Sequence, residues 1–169
     1  MRADYVVHGG RDADLDECVN LAFLAPPERS PTEWRAALSA DLANDEHHLV
    51  VAESGGEIVG YGRVRLWEPE REPEAPAGTA PSGYYLSGVF VRADLRRRGV
   101  AAALTQARLE WIGERADEAW FFANARNAAS IELHGRFGFE EFTRRFSFPG
   151  VTFEGGEGIL FRLSLPRPN

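Results

Sequence analysis

Apolar positions along this chain switch repeatedly between a period of two and a period near 3.6, and the switches mark out a series of strands and helices. Tyr5-Val6-Val7 reads as a short opening strand. Residues 12–24 carry a helical stripe with an acidic first turn (Asp12, Asp14, Asp16, Glu17), the charge that suits a helix start. Ala25-Pro26-Pro27-Glu28-Arg29-Ser30-Pro31 breaks that stripe. Ser30 then caps a second helix, with Pro31 in its first position and Glu33 completing a capping box, and the helix runs to about Ala43. His48 to Glu53 is a strand, Ser54-Gly55-Gly56-Glu57 a hairpin turn, and Ile58 to Leu66 the returning strand, with Val59, Tyr61 and Val64 among its apolar members.

Residues 68–83, rich in proline and glutamate, read as a loop. Tyr84 to Val91 follows as a buried strand of aromatic and β-branched residues, and Ser87-Gly88 within it marks a bulge. Val100, Leu104, Ala107 and Trp111 recur at helical spacing, widened by Ala103 and Ile112, so a helix begins near Arg97 or Arg98 and reaches about Arg115. Residues 118–124 form a central strand, 128–136 a helix, and 139–148 and 158–165 the last two strands. The pattern predicts an α/β fold of the mixed α+β kind, with helices on both faces of a sheet.

Composition narrows the function classes. At 169 residues the chain is expected to be one domain, 1–169, with a core large enough to need no staples. A formal net charge of −7 argues against a nucleic-acid binder. Cys18 has no second cysteine to pair with and falls on an apolar helix face with Leu15, Leu21 and Ala22, as a structural thiol would. His47 and His48 are adjacent, and no Cys/His spacing suits zinc, so no metal site is expected. With no signal peptide, lipid motif or long apolar run, the expectation is a cytoplasmic protein with no membrane partner.

Against that acidic background Arg96-Arg97-Arg98-Gly99-Val100-Ala101 stands out. It joins a strand to a helix, where the first turn offers N–H groups without intrahelical acceptors and the positive end of the dipole. Gly99 and the small Ala101 keep side-chain bulk away from an approaching anion, and the arginines add charge-assisted donors. Neither G-x-x-x-x-G-K-[ST] nor G-x-G-x-x-G is present, so the turn is not a P-loop or a dinucleotide fingerprint.

The pattern [RQ]-x-x-G-x-[GA] after a strand ending Val-Phe-Val, filled here by Arg96, Gly99 and Ala101, resembles the acyl-CoA site of the GNAT superfamily of N-acyltransferases. Asn127-Ala128-Ala129-Ser130-Ile131-Glu132-Leu133-His134-Gly135-Arg136-Phe137-Gly138-Phe139 is similar to the family's second signature. The resemblance covers essentially the whole chain. It implies a central, mostly antiparallel sheet of six to seven strands, splayed at the acyl-CoA site, with about four helices. It also implies a cofactor site in which the backbone of Val89, Phe90 and Val91 pairs with the pantetheine arm. Arg96, Arg97, Arg98, Gly99, Val100 and Ala101 would hold a phosphate of the cofactor, with Asn127 and Ser130 contributing from the second motif. Asn is also a favoured helix cap, so Asn127 has a structural role open to it as well.

The chemistry implied is direct attack of an amine on the thioester of acetyl-CoA in a ternary complex, where the protein orients the reactants and manages protons. Where the family usually carries a tyrosine as acid for the departing thiolate, this chain has His134. An imidazole can fill that role near neutral pH, and Tyr84 or Tyr85 offers a phenol instead. Glu28, Glu33 and Glu68 are the carboxylates within reach of a base role, and none is singled out. Trp34, Trp67, Phe146, Phe148 and Phe153, with Glu28, Glu33, Glu154 and Glu157, are expected to rim the acceptor side, which favours a small amine. Two other readings stay open: a non-catalytic acyl-CoA-binding or sensing module, and a protein N-terminal or lysine acetyltransferase. The strands at 139–148 and 158–165 offer an edge for a homodimer.

Overall fold

The computed structural model describes residues 4–23, 29–71, 78–153 and 155–167. Seven strands hydrogen-bond in the order β1-β2-β3-β4-β5-β7-β6 among the described residues. They are β1 (Val6–Gly9), β2 (His48–Ser54), β3 (Glu57–Trp67), β4 (Gly83–Val91), β5 (Glu118–Asn124), β6 (Glu140–Thr143) and β7 (Gly158–Ser164). The helices are α1 (Leu15–Phe23), α2 (Pro31–Leu42), α3 (Val100–Gly113) and α4 (Ala128–Gly135). The sheet is mixed: β4 and β5 are parallel, registered at Tyr85↔Trp120, while β1–β2, β2–β3, β5–β7 and β6–β7 are antiparallel. The chain divides into two compact units, Met1–Arg65 with Ser87–Trp111, and Leu66–Leu86 with Ile112–Asn169.

In the first unit, side-chain alternation sends residues of β2 and β3 to opposite faces. Leu49, Val51, Ile58 and Tyr61 pack with Leu15, Cys18, Leu21 and Leu38 of α1 and α2. Val50, Ala52 and Val59 pack with Leu95, Val100 and Leu104 at the start of α3. Helices therefore cover both faces of this part of the sheet. The capping box at α2 forms as the sequence predicts: Ser30 Oγ accepts from Glu33 N–H, and the Glu33 carboxylate accepts from Ser30 N–H at 2.7 Å. Gly55 and Gly56, at φ +59° and +82°, make the hairpin turn, a backbone that few other residues adopt. Cys18 is fully buried, and burial followed by the nearby Asp14 and Glu17 charges pushes its thiol up to about 12, as befits an inert packing residue.

Two glycines of β3 set how closely α3 approaches. A β-carbon on Gly60 would lie 3.0 Å from the Phe90 carbonyl oxygen and 3.3 Å from Val100 Cγ1. One on Gly62 would lie 2.9 Å from Nε of Arg108. The helix thus rests on bare backbone at alternate positions of the strand.

In the second unit, Tyr85, Trp120, Leu160 and Ala80 are buried together, with Trp67, Phe122, Phe146 and Phe148 against them. Phe121, Phe139, Phe161 and His134 form the opposite layer.

Several expected boundaries shift. The helix expected over 12–24 opens as a 3₁₀ turn (Asp12–Asp14) before α1. The helix expected from Arg97 or Arg98 starts at Val100, because Arg97 and Gly99 take left-handed φ of +61° and +88°, which no α-helix accommodates. The strand expected over 139–148 ends at Thr143, and Phe146 and Phe148 reach the aromatic cluster from irregular backbone instead. The loop expected over 68–83 holds a 3₁₀ turn at Pro69–Arg71; its residues 72–77 lie outside the described set.

Candidate functional site

The connection from β4 to α3 is anchored at both ends and open between them. Leu95 and Val100 are buried in one cluster, so residues 96–99 arch outward and are exposed. The first helical bond runs from Ala103 N–H to the Gly99 carbonyl at 2.9 Å. The N–H groups of Val100, Ala101 and Ala102 precede it and have no intrahelical acceptor. Among the described residues, Arg97 is the one non-glycine residue with positive φ. Strain of that kind costs on the order of 1–3 kcal/mol and persists where surrounding structure enforces it. Gly99 shares the left-handed conformation, and a β-carbon there would meet Tyr5 Oη only at 3.5 Å, so conformation rather than space demands glycine.

Three exposed arginines line this arch. Arg96 is partly committed: its Nε donates to the Val91 carbonyl at 3.2 Å, tying the turn to the end of β4. Asp94, the acidic residue closest in sequence, is held by Arg92 through two hydrogen bonds of 2.7 and 3.1 Å, and Arg92 also reaches Glu57 at 3.0 Å. The Arg92 hydrogen bonds keep the Asp94 carboxyl below its ordinary value. The arch is thus a cationic rim over a helix start, with its neighbouring carboxylate already paired.

Val89, Phe90 and Val91 alternate as strand residues do. Val89 and Val91 pack toward the α3 cluster, and the Phe90 ring lies against Tyr61 and Trp34 on the other face. Gly88, at φ +64°, interrupts the extended backbone of β4 where the sequence marks a bulge. Its carbonyl accepts from Arg108 Nη1 at 3.3 Å, as does the Arg63 carbonyl. Arg108 is 1% exposed, and its remaining bonds run to Leu104 and Thr105 of its own helix. Burial pushes its guanidinium down to about 9, so it stays charged at neutral pH. Sequence reading missed Arg108; the signal was an arginine on the apolar stripe that Val100 and Leu104 begin.

The second motif is satisfied within its own unit. Asn127 Oδ1 accepts from Ser130 N–H at 3.2 Å and caps α4, and Asn124 Oδ1 accepts from Arg126 N–H at 3.0 Å. His134 is 3% exposed. Its Nδ1 lies 2.8 Å from the Ser130 carbonyl, and its ring stacks on Phe121 with centroids 3.7 Å apart. Of the two phenols, Tyr85 donates to the Pro81 carbonyl at 2.7 Å and burial pushes it up, whereas Tyr84 is half-buried.

The candidate bases do not converge. Glu33 is spent on the α2 capping box, Glu68 pairs with Arg71 at 2.5 Å, and Glu28 lies outside the described residues. Of the groups expected at the acceptor rim, Trp67, Phe146, Phe148 and Phe153 pack into the aromatic layers of the second unit. Glu157 pairs with Arg144 at 2.6 Å, and Glu154 lies outside the described residues. Among the described residues no His, Cys, Asp and Glu side chains group to hold a metal ion, and no helix is long and apolar enough to cross a membrane.

A model of the acetyltransferase (GNAT) family matches residues 15–139. The L-methionine sulfoximine/L-methionine sulfone acetyltransferase of Pseudomonas aeruginosa is 36% identical over 93 residues, 54% of this chain and 49% of that protein. The chain thus spans about half the length of the curated relatives it matches. Among solved structures, the ribosomal-protein-S18-alanine N-acetyltransferase of Escherichia coli superposes with a TM-score of 0.70 at 19% identity, over 98% of this chain and 97% of that one. Salmonella typhimurium yncA, solved with acetyl-CoA, gives 0.71 at 18% identity over 96% and 94%.

Proposed function

Because the chain belongs to the acetyltransferase (GNAT) family, we propose that it moves an acetyl group from acetyl-CoA to the primary amine of a small molecule by direct attack while both are bound. The observation that carries this reading is the open arch at residues 96–99, with helix N–H groups beneath that have no intrahelical acceptor and exposed arginines around it. That donor set fits the pyrophosphate of a coenzyme A. The acetylated amino-acid derivatives named for the relative from Pseudomonas support a small acceptor over a protein one. The family match runs through both compact units, which supports treating 1–169 as one functional domain.

Bound there, acetyl-CoA would supply an acyl group activated as a thioester. The backbone of Val89, Phe90 and Val91 would align the pantetheine arm in the manner of an added strand. An N–H near Phe90 or Val91 would donate to the carbonyl oxygen as it gains negative charge. Nitrogen–carbon bond formation is balanced by carbon–sulfur cleavage; the amine loses a proton to water or a carboxylate, and the sulfur takes one up. For that second proton we assign Tyr84. His134 is buried with its ring stacked on Phe121, and its Nδ1 is already engaged with the Ser130 carbonyl, which supports a packing role instead. Tyr84→Phe should then lower kcat about tenfold or more. His134→Gln should lower the melting temperature more than kcat. The reverse pattern would return the acid role to His134.

Calorimetric titration with acetyl-CoA, with adenosine diphosphate as control, tests the reading directly. Micromolar binding that exceeds the control, followed by CoA release with a panel of amines including L-methionine sulfone, is the expected result. Binding without release for any amine would favour a non-catalytic acyl-CoA module, and no binding would withdraw the reading.

A further inference from the structure

A cluster of hydrogen-bond donors between α2 and β3 is left unused by the acyl-CoA site. Tyr61, Arg63 and Arg65 occupy alternate positions of β3 and so share one face. They grade from full burial at Tyr61 through 5% exposure at Arg63 to an exposed Arg65. Opposite them, Asp41 of α2 is 2% exposed and gathers several bases. Its Oδ2 accepts from Arg63 Nε at 2.6 Å, while Oδ1 lies 3.1 Å from His47 Nδ1 and 3.9 Å from Arg65 Nε. Arg63 also lies over the Trp34 ring at 5.8 Å, and Arg29 lies over the same ring at 5.1 Å. The guanidiniums are close enough to disfavour one another: burial, then Arg63 and Arg29, push Arg65 down against the pull of Asp41. Among the described residues, one buried carboxylate therefore faces more positive charge than it balances.

Two buried polar atoms in this cluster lack any partner among the described residues, Tyr61 Oη and Trp34 Nε1. Both rings pack on Phe90, with centroids 5.1 and 5.9 Å away. A buried donor without an acceptor destabilises the protein that carries it. An indole N–H and guanidiniums can only donate, and a phenol here has its proton to offer. The complement of such a set is an acceptor-only anion. The bland alternative, an Asp41–Arg63 bridge tying α2 to β3, accounts for one pair but not for the surplus charge or the two orphaned donors.

We propose that this cluster receives the carboxylate of the acceptor, so that the acceptor is an amino acid and not a simple amine. The inference rests on the acetyltransferase reading for its chemistry. Phe90 connects the two sites, since its ring floors the cluster and its backbone belongs to the stretch assigned to the pantetheine arm.

The test compares binding of L-methionine, L-phenylalanine and L-glutamine, each against its own carboxamide, by calorimetry with and without CoA. At least one acid should bind about tenfold or more tightly than its amide. Arg65→Gln should shrink that ratio severalfold. Tyr61→Phe should weaken the acid severalfold while the melting temperature holds or rises, because the lost hydroxyl had no partner; a purely structural Tyr61 would leave acid binding unchanged. Equal binding of acids and amides, binding of neither, or a ratio untouched by both variants would overturn the proposal. Binding of acetyl-CoA with CoA release from acids and amides alike would keep the acetyltransferase and remove this subsite. Preference for the acid without acetyl-CoA binding would keep the subsite and remove the acetyltransferase.

Discussion

The chain makes two strand-to-helix connections of similar design, β4 to α3 and β5 to α4, and they end in opposite states. At α4, Asn127 turns its carboxamide back onto Ser130 N–H and His134 returns to the Ser130 carbonyl, so the helix start closes on itself. At α3, the residue before the helix is Gly99, which has no side chain to turn back, and the arch holds Arg97 in a strained conformation. One connection turns side chains back onto its own first turn; the other leaves the N–H groups of Val100, Ala101 and Ala102 without an intrahelical acceptor. The difference teaches that the flanking residues decide whether a helix N-terminus closes on itself or stays open.

The comparison can be broken most sharply at Gly99. Gly99→Glu places a strained φ and a carboxylate in the arch, and acetyl-CoA affinity should fall about a hundredfold or more by calorimetry. An unchanged affinity would mean that this connection is no more a site than the other. Replacing Arg97 and Arg98 together by alanine should cost roughly tenfold or more in affinity, and should flatten its dependence on salt between low and physiological ionic strength. Arg92→Ala should weaken binding by about threefold, because it frees the Asp94 carboxylate beside the arch. At the closed connection, Asn127→Ala should cost about 1 kcal/mol of stability in thermal unfolding and leave acetyl-CoA affinity nearly intact. A large loss of affinity there would show that Asn127 serves the ligand as well as the helix.

Much of this was readable from the chain. The capping box at Ser30 and Glu33, the Gly55-Gly56 hairpin and the β5 limits at Glu118 and Asn124 all rest on local signals, and all appear where the pattern puts them. The arch itself was legible, but its helix start was not, since a left-handed arginine has no sequence signature. The aromatics Phe146 and Phe148 mimic strand alternation yet serve a cluster built from distant residues, which local pattern cannot see. The donor cluster was hidden for the same reason. Tyr61 reads as one more apolar strand residue until α2 brings Asp41 and Trp34 against its neighbours. His134 reads by type as a proton carrier, and its stacking on Phe121 became visible only once the strands packed together.

Gly60 and Gly62 carry a consequence for how this protein tolerates change. Neither belongs to the arch, yet a single added methyl at Gly62 would have to push aside the Arg108 side chain that bonds the Gly88 carbonyl. In a saturation scan scored on cofactor binding, these two strand positions should rank with the arginines of the arch, and exposed faces of α3 such as Gln106 and Glu110 should stay silent. Sensitivity would follow the seat of the helix, so a map of intolerant positions would trace what supports the ligand's cradle as faithfully as what touches it.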